Sequence, residues 1–584
     1  MVDKHWLWGP LKANKRIYIQ VILAAAFVNI LSLGTSLFTM VVYDRVIPNN
    51  AVESLIALTI GMLIALSADF VLRSLRGYFI DVAGQRVDTL IGAQLFARVL
   101  DVRISTRKMP PGAFASRVRE FETLRDFFTS ATLVAVVDLP FIALFLFVIW
   151  AIGGAAVLVP LLAVPLVFVT GFLIQPALKS LADQSMEEAQ DKHAVLVETV
   201  SGLETVKALG AGPVMAKRWR AAIAGHAQTN RRSRIFSQLA INVATSAQQI
   251  AQVGIVVAGV FLITTGAMSM GALIACVILT GRTLAPLSQI ANVRSRINGA
   301  RAAYQALSEL METDTDTRQE IPYVRHEKLD GAILFKNVSF RYPGEADWVL
   351  RGVNFDIQPG EKVAVLGKIG SGKSTLLRLM LGLYSASDGQ VLVDDTDVRQ
   401  IHPDDLRQNM GAVLQDVTLF SGSVRENILM RVPEASDADL LDVAKAAGVH
   451  DFIGARPNGY HLRLSDRGEG LSGGQKQSIA IARALIGGPS ILVMDEPTSA
   501  MDINTENALT SRLKPQLEDK TLILITHRGT LLKLVDKIIL MDKGRVVSVG
   551  PRDDVLKSMA VSAGAAGSGS GGVQGGVQGG VQGA

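Results

Sequence analysis

The stretch Gly367-Lys368-Ile369-Gly370-Ser371-Gly372-Lys373-Ser374 decides the fold of the second half of the chain. It follows Val363-Ala-Val-Leu366, an apolar run that reads as a buried strand, and it opens a helical pattern. A strand, a glycine-rich turn and a helix starting with Lys-Ser make a phosphate-binding loop. Glycines let backbone N–H groups converge on phosphate oxygens at a helix N-terminus. Lys373 is placed to neutralise β- and γ-phosphates, and the Ser374 hydroxyl to hold Mg2+. Further out, Ile491-Leu-Val-Met494 reads as another buried strand, closed by Asp495. An acid there is poised to bind Mg2+, directly or through water, and Glu496 beside it to polarise an attacking water. Alone, Asp495 would be a solvated strand end; the phosphate loop turns it into a metal ligand. Val391-Leu-Val393 and Leu522-Ile-Leu-Ile525 add buried-strand runs, each near a helical pattern, as in an α/β domain.

Leu471-Ser472-Gly473-Gly474-Gln475 opens another helical segment. A serine before glycines can be a helix cap and nothing more. The whole string, in this order with the loop and Asp495-Glu496, resembles the nucleotide-binding domain of ABC transporters. The resemblance runs from Gly331 to about Ala560 and implies ATP and Mg2+. It implies that Tyr342 stacks on adenine, that Gly367 to Thr375 cradle the phosphates, and that Gln415 senses Mg2+ and the attacking water. It makes Glu496 the catalytic carboxylate, His527 the switch that contacts the γ-phosphate, and Ser374, Gln415 and Asp495 the metal ligands. Ser499-Ala-Met-Asp502 corresponds to the loop linking two sites. It implies a dimer with a second copy of the chain, each ATP lying between the Lys373 loop of one chain and Ser472 to Gln475 of the other.

The rest of the chain reads as membrane. Of 584 residues 49% are hydrophobic and only 19% charged, which excludes a disordered chain. One cysteine excludes a disulfide scaffold and a multi-cysteine metal site. A net charge of +5 is too small to point to nucleic acid, no nucleic-acid motif is present, and no such partner is expected. Residues 17–42, 139–178 and 235–281 contain no Asp, Glu, Lys or Arg. A spanning helix needs about 20 apolar residues. The first gap holds one span; the others each hold a hairpin, turning at Gly153-Gly154 and at Gly266 to Met270. Ser54 to Leu72, interrupted by Asp69, adds another, giving six. The sixth is short, with Ala267 to Gly281 as its clean part; a re-entrant segment is the alternative. Parity favours a full span, because the ATP-binding third must share the cytosol with the N-terminus. Lys and Arg number eight between Asp81 and Ser130 and nine between Pro176 and Ala240, so both long loops are expected in the cytosol. They are expected to be helical, with breaks at Pro110-Pro111-Gly112 and Gly210-Ala-Gly-Pro213. Asp69, Arg73 and Asp138 are read either as boundary residues or as cavity lining.

The expected organisation is a cytosolic N-terminus (1–16), a transmembrane domain (17–310), a linker (311–330), a nucleotide-binding domain (331–560) and a low-complexity tail (561–584). The fold class is thus a six-span helical membrane domain followed by an α/β P-loop NTPase domain. This order resembles ABC exporters. The resemblance makes Thr205 to Gly210 and Asp101 to Ala115 candidate coupling segments, and Glu469 a cross-domain contact. Val42-Tyr-Asp-Arg-Val-Ile-Pro48, Asp138-Leu-Pro-Phe141 and Gln415-Asp-Val-Thr-Leu-Phe-Ser-Gly422 resemble type I secretion exporters, which move unfolded polypeptides. That implies the bacterial inner membrane, a lipid bilayer, a polypeptide cargo, a membrane-fusion adaptor and an outer-membrane channel. One branch carries a peptidase-like domain ahead of the first span, where 16 residues stand here. Cys276 lies in an apolar span as a packed hydrophobe, so no protease activity is expected. The rival readings are a lipid, glycan or drug exporter and, from another class, an ATP-gated channel or regulatory subunit.

Overall fold

The computed structural model describes residues 5–106, 120–128, 137–317 and 322–567. Pro110 to Gly112, part of the Asp101 to Ala115 candidate and the Gly-Gly-Val-Gln tail lie outside the described residues. The chain divides into two compact units.

The helical unit lies within residues 1–313. Among the described residues, five segments are long and apolar enough to cross a membrane: Lys15–Asn49, Val52–Asp101, Phe141–Ser201, Gly212–Thr264 and Met270–Leu287. The third is two helices, Phe141–Gly153 and Leu158–Ser201, parted at Gly154, whose φ of 54° leaves the helical region. Leu158–Ser201 lies antiparallel to Gly212–Thr264. Val159 meets Gly254 near one end, and Ser185 bonds Asn230 at 3.0 Å further along. Among the described residues, the apolar stretches expected to hold six passes thus lie on six helices. The sixth, Met270–Leu284, is short but buried: Ala275, Cys276 and Leu279 have no exposed surface. Protein rather than lipid surrounds it, so a long apolar run is not required of it.

Small residues set the packing in this unit. Ala244, Ala247 and Ala251 line the inner face of Gly212–Thr264, letting helix backbones approach closely. The short connections gather at one end. Gly153 lies against Met268, and Asp44 reaches the start of the sixth helix, accepting from Ser269 Oγ at 2.5 Å and Gly271 N at 2.7 Å. Asp44 sits in a π-helical turn, Val42–Val46. Asp138 accepts from Asn29 and from Arg76, at 2.9 and 3.3 Å, and Asp69 pairs with Arg73 at 2.7 Å. Val52–Asp101 has 50 residues and Gly212–Thr264 has 53, about 75–80 Å at 1.5 Å per residue, far beyond the roughly 30 Å of a hydrocarbon core. Between the long helices, Leu203–Ala208 is a short helix ended near Gly210, with φ 63°.

The second unit is α/β. Strands β1 (Ile333–Phe340), β2 (Leu350–Ile357), β3 (Lys362–Gly367), β4 (Asp388–Val393), β5 (Thr396–Asp397) and β6 (Met410–Val413) come first. The short pair β7 (Gly422–Ser423) and β8 (Arg463–Leu464) follows, then β9 (Ile491–Asp495), β10 (Thr521–Ile525), β11 (Lys537–Asp542) and β12 (Arg545–Pro551). One sheet has the order β12-β11-β3-β10-β9-β6, the other β2-β1-β4-β5. From β11 to β6 the first sheet is parallel, while the second is antiparallel. Both faces of β3 are covered. Val363 and Val365 share a core with Phe335 and Val353, and Ala364 and Leu366 share the opposite one with Ile479 and Leu524. This is why the strand is apolar throughout instead of alternating. Part of the polar stretch after Glu312 packs on this unit. Arg407 donates to Asp316 at 2.6 Å, Tyr323 Oη donates to the Asp316 carbonyl at 2.9 Å, and Leu329 is fully buried.

Candidate functional site: an ATP-binding edge

The site grows from the carboxyl ends of four neighbouring parallel strands, where open α/β sheets bind ligands. Val365 pairs with Ile525, Ile525 with Asp495, and Val413 with Met494. One row of residues therefore delivers the glycine loop after β3, His527 after β10, Asp495-Glu496 from β9 and Gln415 after β6.

The loop turns into the helix Lys373–Met380. Gly372 adopts φ 96°, and a Cβ there would come within 2.6 Å of Leu350. Lys373 Nζ donates to the carbonyls of Gly367 and Lys368, at 2.8 and 3.0 Å, curling the loop around the ammonium. Burial pushes its pKa below the ordinary 10.5, and the charges of Asp495 and Glu496 oppose that shift. Ser371 is buried, and its hydroxyl has no hydrogen-bond partner among the described residues. Ile369 stands 97% exposed, and Gly370 has open space where a Cβ would be. Tyr342 is bound into the same corner. Its hydroxyl lies 3.1 Å from Thr375 Oγ1 and accepts from Arg378 at 2.6 Å, while its ring meets Phe340 and Tyr384 edge-on.

Asp495 is 4% exposed. Burial raises its pKa above 3.8, offset by a hydrogen bond with Ser374 and the charge of Lys373. Ser374 and Asp495 therefore present adjoining hard oxygen donors, and the Gln415 carboxamide, exposed at the end of the next strand, offers another. This all-oxygen set fits Mg2+, which takes one or two protein oxygens and completes its shell with phosphate and water.

Glu496 has φ 50°, left-handed for a residue with a side chain. Its N–H donates to Ile525 O at 2.9 Å, and Oε1 lies 3.6 Å from His527 Nε2. Glu496 and His527 thus face each other across adjacent strands. Ser472 caps the helix Gly473–Leu485 in a reciprocal box with Gln475. A Cβ on Gly473 would lie 2.8 Å from that of Ala500, so glycine lets this helix start rest on the 499–502 turn. Asp502 caps Ile503–Gln516, accepting from the amides of Asn504 and Thr505 and from the Thr505 hydroxyl, which holds its pKa low.

The sequence-named residues form two groups. The loop, Asp495, Glu496, His527 and Gln415 share one sheet edge, with Tyr342 brought in from the other sheet against the helix after the loop; Ser472 to Gln475 and Asp502 meet at the 499–502 turn. Sequence reading missed the polar groups joining them: Gln477, buried inside an otherwise apolar helix face, and the pair Glu506–Arg528. Arg528 Nη2 donates to Ser499 O at 3.0 Å, and Nη1 lies 3.5 Å from Glu506 Oε2. A glutamine among Ile479, Ala480 and Ile481 and an arginine beside His527 were the available signals.

Fold and site together define a membrane-spanning P-loop ATPase. Residues 350–499 match the ABC transporter family and residues 18–287 the ABC transporter transmembrane region. The chain belongs to the ABC transporter family and is an ATPase coupled to transmembrane transport. The leukotoxin translocation ATP-binding protein LktB of Mannheimia glucosida is 33% identical over 562 residues, 95% of this chain and 78% of the relative. The exotoxin translocation ATP-binding protein PaxB of Pasteurella aerogenes is 32% identical over the same length. A bacterial Atm1-family ABC exporter with ATP bound shares the fold, with TM-score 0.85, 23% identity, and coverage of 96% of this chain and 99% of that one.

Proposed function

We propose that the chain is the inner-membrane engine of a type I secretion system, a homodimer that uses two ATP molecules to export an unfolded polypeptide. The observation that carries this reading is the Ser374–Asp495 and Glu496–His527 pairing at one sheet edge, in a chain with six apolar helices related to toxin translocators. The ATPase unit lies in the cytosol. Tyr342 holds adenine and Lys373 the terminal phosphates, and Ser472 to Gln475 of the second copy, the signature segment that opens the helix Gly473–Leu485, closes the site. Ser374, Asp495 and Gln415 hold Mg2+, which neutralises phosphate charge when bound. Glu496 takes the proton from the attacking water, and His527 orients the γ-phosphate. ATP must favour the closed dimer by about 5.5 kcal/mol to invert a 1:99 population. A folded domain of about 100 residues has a radius of gyration near 13 Å, too wide for a helix bundle to pass, so the cargo threads unfolded. A membrane-fusion adaptor and an outer-membrane channel continue the path.

Deleting the gene should abolish extracellular appearance of one or more large proteins, read by mass spectrometry of the medium. Wild-type chain should restore them and Lys373→Ala should not. An unchanged secreted proteome with altered membrane lipid or glycan content would point instead to a lipid or glycan exporter.

A further inference from the structure

Gln477 is 5% exposed and belongs to the signature helix, yet all its polar contacts are with the segment that carries the catalytic base. Its Nε2 donates to Ser499 Oγ at 2.7 Å and to the Glu496 carbonyl at 3.4 Å, and its Oε1 accepts from Ala500 N at 3.0 Å. One buried amide therefore adds three contacts to a turn whose own backbone bonds are Ser499 N to Glu496 O at 3.2 Å and Met501 N to Thr498 O at 3.0 Å. The turn needs such support, because Glu496 holds a left-handed φ and its only strand-like anchor is the N–H to Ile525 O. Under the dimer reading, the N-terminal end of the same helix, from Ser472 to Gln475, faces the nucleotide held by the partner.

We infer that Gln477 is a positioning residue that couples the two ATP sites, transmitting the placement of the signature helix at one nucleotide to Glu496 at the other. This rests on the composite-site reading above. The route is short: Ser472 and Gln477 lie on one rigid helix, and the carboxamide reaches the main chain of the base itself. A buried polar side chain with its donors and acceptor all engaged moves with its partners, since breaking the contacts would strand unpaired groups. Arg528 and Glu506 hold the other side of the turn through Ser499 O and Thr498 Oγ1, so displacement at Gln477 rotates the turn about a fixed point.

The experiment uses full-length mixed dimers in which one chain, isotopically marked, carries Lys373→Ala and keeps its own loop empty. An ATP analogue with a β,γ-imido bridge then binds only at the other loop, against the marked chain's signature. Hydrogen exchange is read on the marked chain. Binding should slow exchange in residues 472–476 and also in 496–500, the latter by about tenfold, the worth of one to two hydrogen bonds. Adding Gln477→Leu to the marked chain should abolish slowing at 496–500 and leave it at 472–476. Protection at 496–500 surviving Gln477→Leu overturns the coupling role while leaving the composite site intact. No protection at 472–476 in the starting dimer overturns the composite site itself. In the homodimer, Gln477→Leu should lower kcat about tenfold with the ATP KM within about twofold. Gln477→Glu keeps the acceptor for Ala500 N and should recover part of the loss. If Gln477→Leu exchanges fast throughout, the Gln477→Glu dimer takes its place, with partial loss at 496–500 expected and full protection counting against the inference.

Discussion

In the ATPase unit the large side chains point inward: Phe335, Leu350, Val363, Ile523 and Ile539 are at most 1% exposed. In the helical unit Leu162, Leu173 and Ile250 are more than 70% exposed, while Ala244, Ala251 and Ala275 lie inside. Water drives the first pattern, because burying apolar area is favourable by about 25 cal/mol per Å2. A bilayer removes that drive between helices, so close backbone approach and polar clasps hold them instead. The two halves also differ in how they act. The ATPase half sets side chains against one another at single atom pairs, such as Glu496 and His527 at 3.6 Å, while the helical half presents broad apolar surfaces.

The largest effect tests that difference at one atom pair. Glu496→Gln keeps the shape facing His527 but removes the basicity. Turnover should fall about 10²–10⁴-fold while ATP still binds. Near wild-type turnover in the purified mutant would take the base away from Glu496. No single substitution on the outward face of the helical unit should approach this loss.

The second test reverses side-chain size in both halves. Phe335 stacks on Phe355 with ring centroids 4.4 Å apart. Phe335→Ala should cost about 3–5 kcal/mol, visible as a lowered unfolding midpoint of the ATPase transition in detergent. Leu162→Ala, 74% exposed, should move its own transition by less than about 0.5 kcal/mol. Equal losses would mean that the outward leucines are packed against protein, as a dimer interface would require.

The same contrast explains what could be read from sequence. β3, β9 and β10 were legible because buried parallel strands must be apolar along their whole length, and the glycine loop because only glycine tolerates its turns. Five expected spans were legible from uncharged gaps and a further one from a run interrupted only by Asp69, and Gly154 and Gly266 adopt the positive φ that their turns demanded. The sixth helix was the hardest, since hydropathy measures contact with lipid and this helix is enclosed by protein. Gln477 and the Glu506–Arg528 pair left only faint signals, because their value lies in distances across the fold, such as 3.0 Å from Arg528 to Ser499 O, which no spacing along the chain announces. Asp44 lay in a string noted for resemblance; its task, reaching Ser269 and Gly271 more than 200 residues away, needed coordinates.

That Asp44 clasp gives a smaller predicted loss than Phe335→Ala and the sharpest test of how the helical half is held. The π-helical turn Val42–Val46 carries one residue more than an α-helical turn would, and it turns the carboxylate toward the N-terminal N–H groups of the sixth helix. A negative charge at a helix N-terminus is favourable, and capping contacts are worth about 1 kcal/mol each. Gly271 is needed for the fit, since a Cβ there would overlap the Met40 carbonyl and the Asp44 carboxylate. Asp44→Ala should therefore lower the stability of the helical unit by about 1–2 kcal/mol. ATP turnover in detergent should stay within about twofold, because the chemistry resides in other residues. Asp44→Asn keeps the acceptor for Gly271 N and should recover about half of the loss. Thermal unfolding of the helical transition in lipid nanodiscs measures all three forms. If Asp44→Ala leaves that transition unmoved, alanine and glycine packing alone holds the sixth helix, and polar clasps drop out of the account of this half.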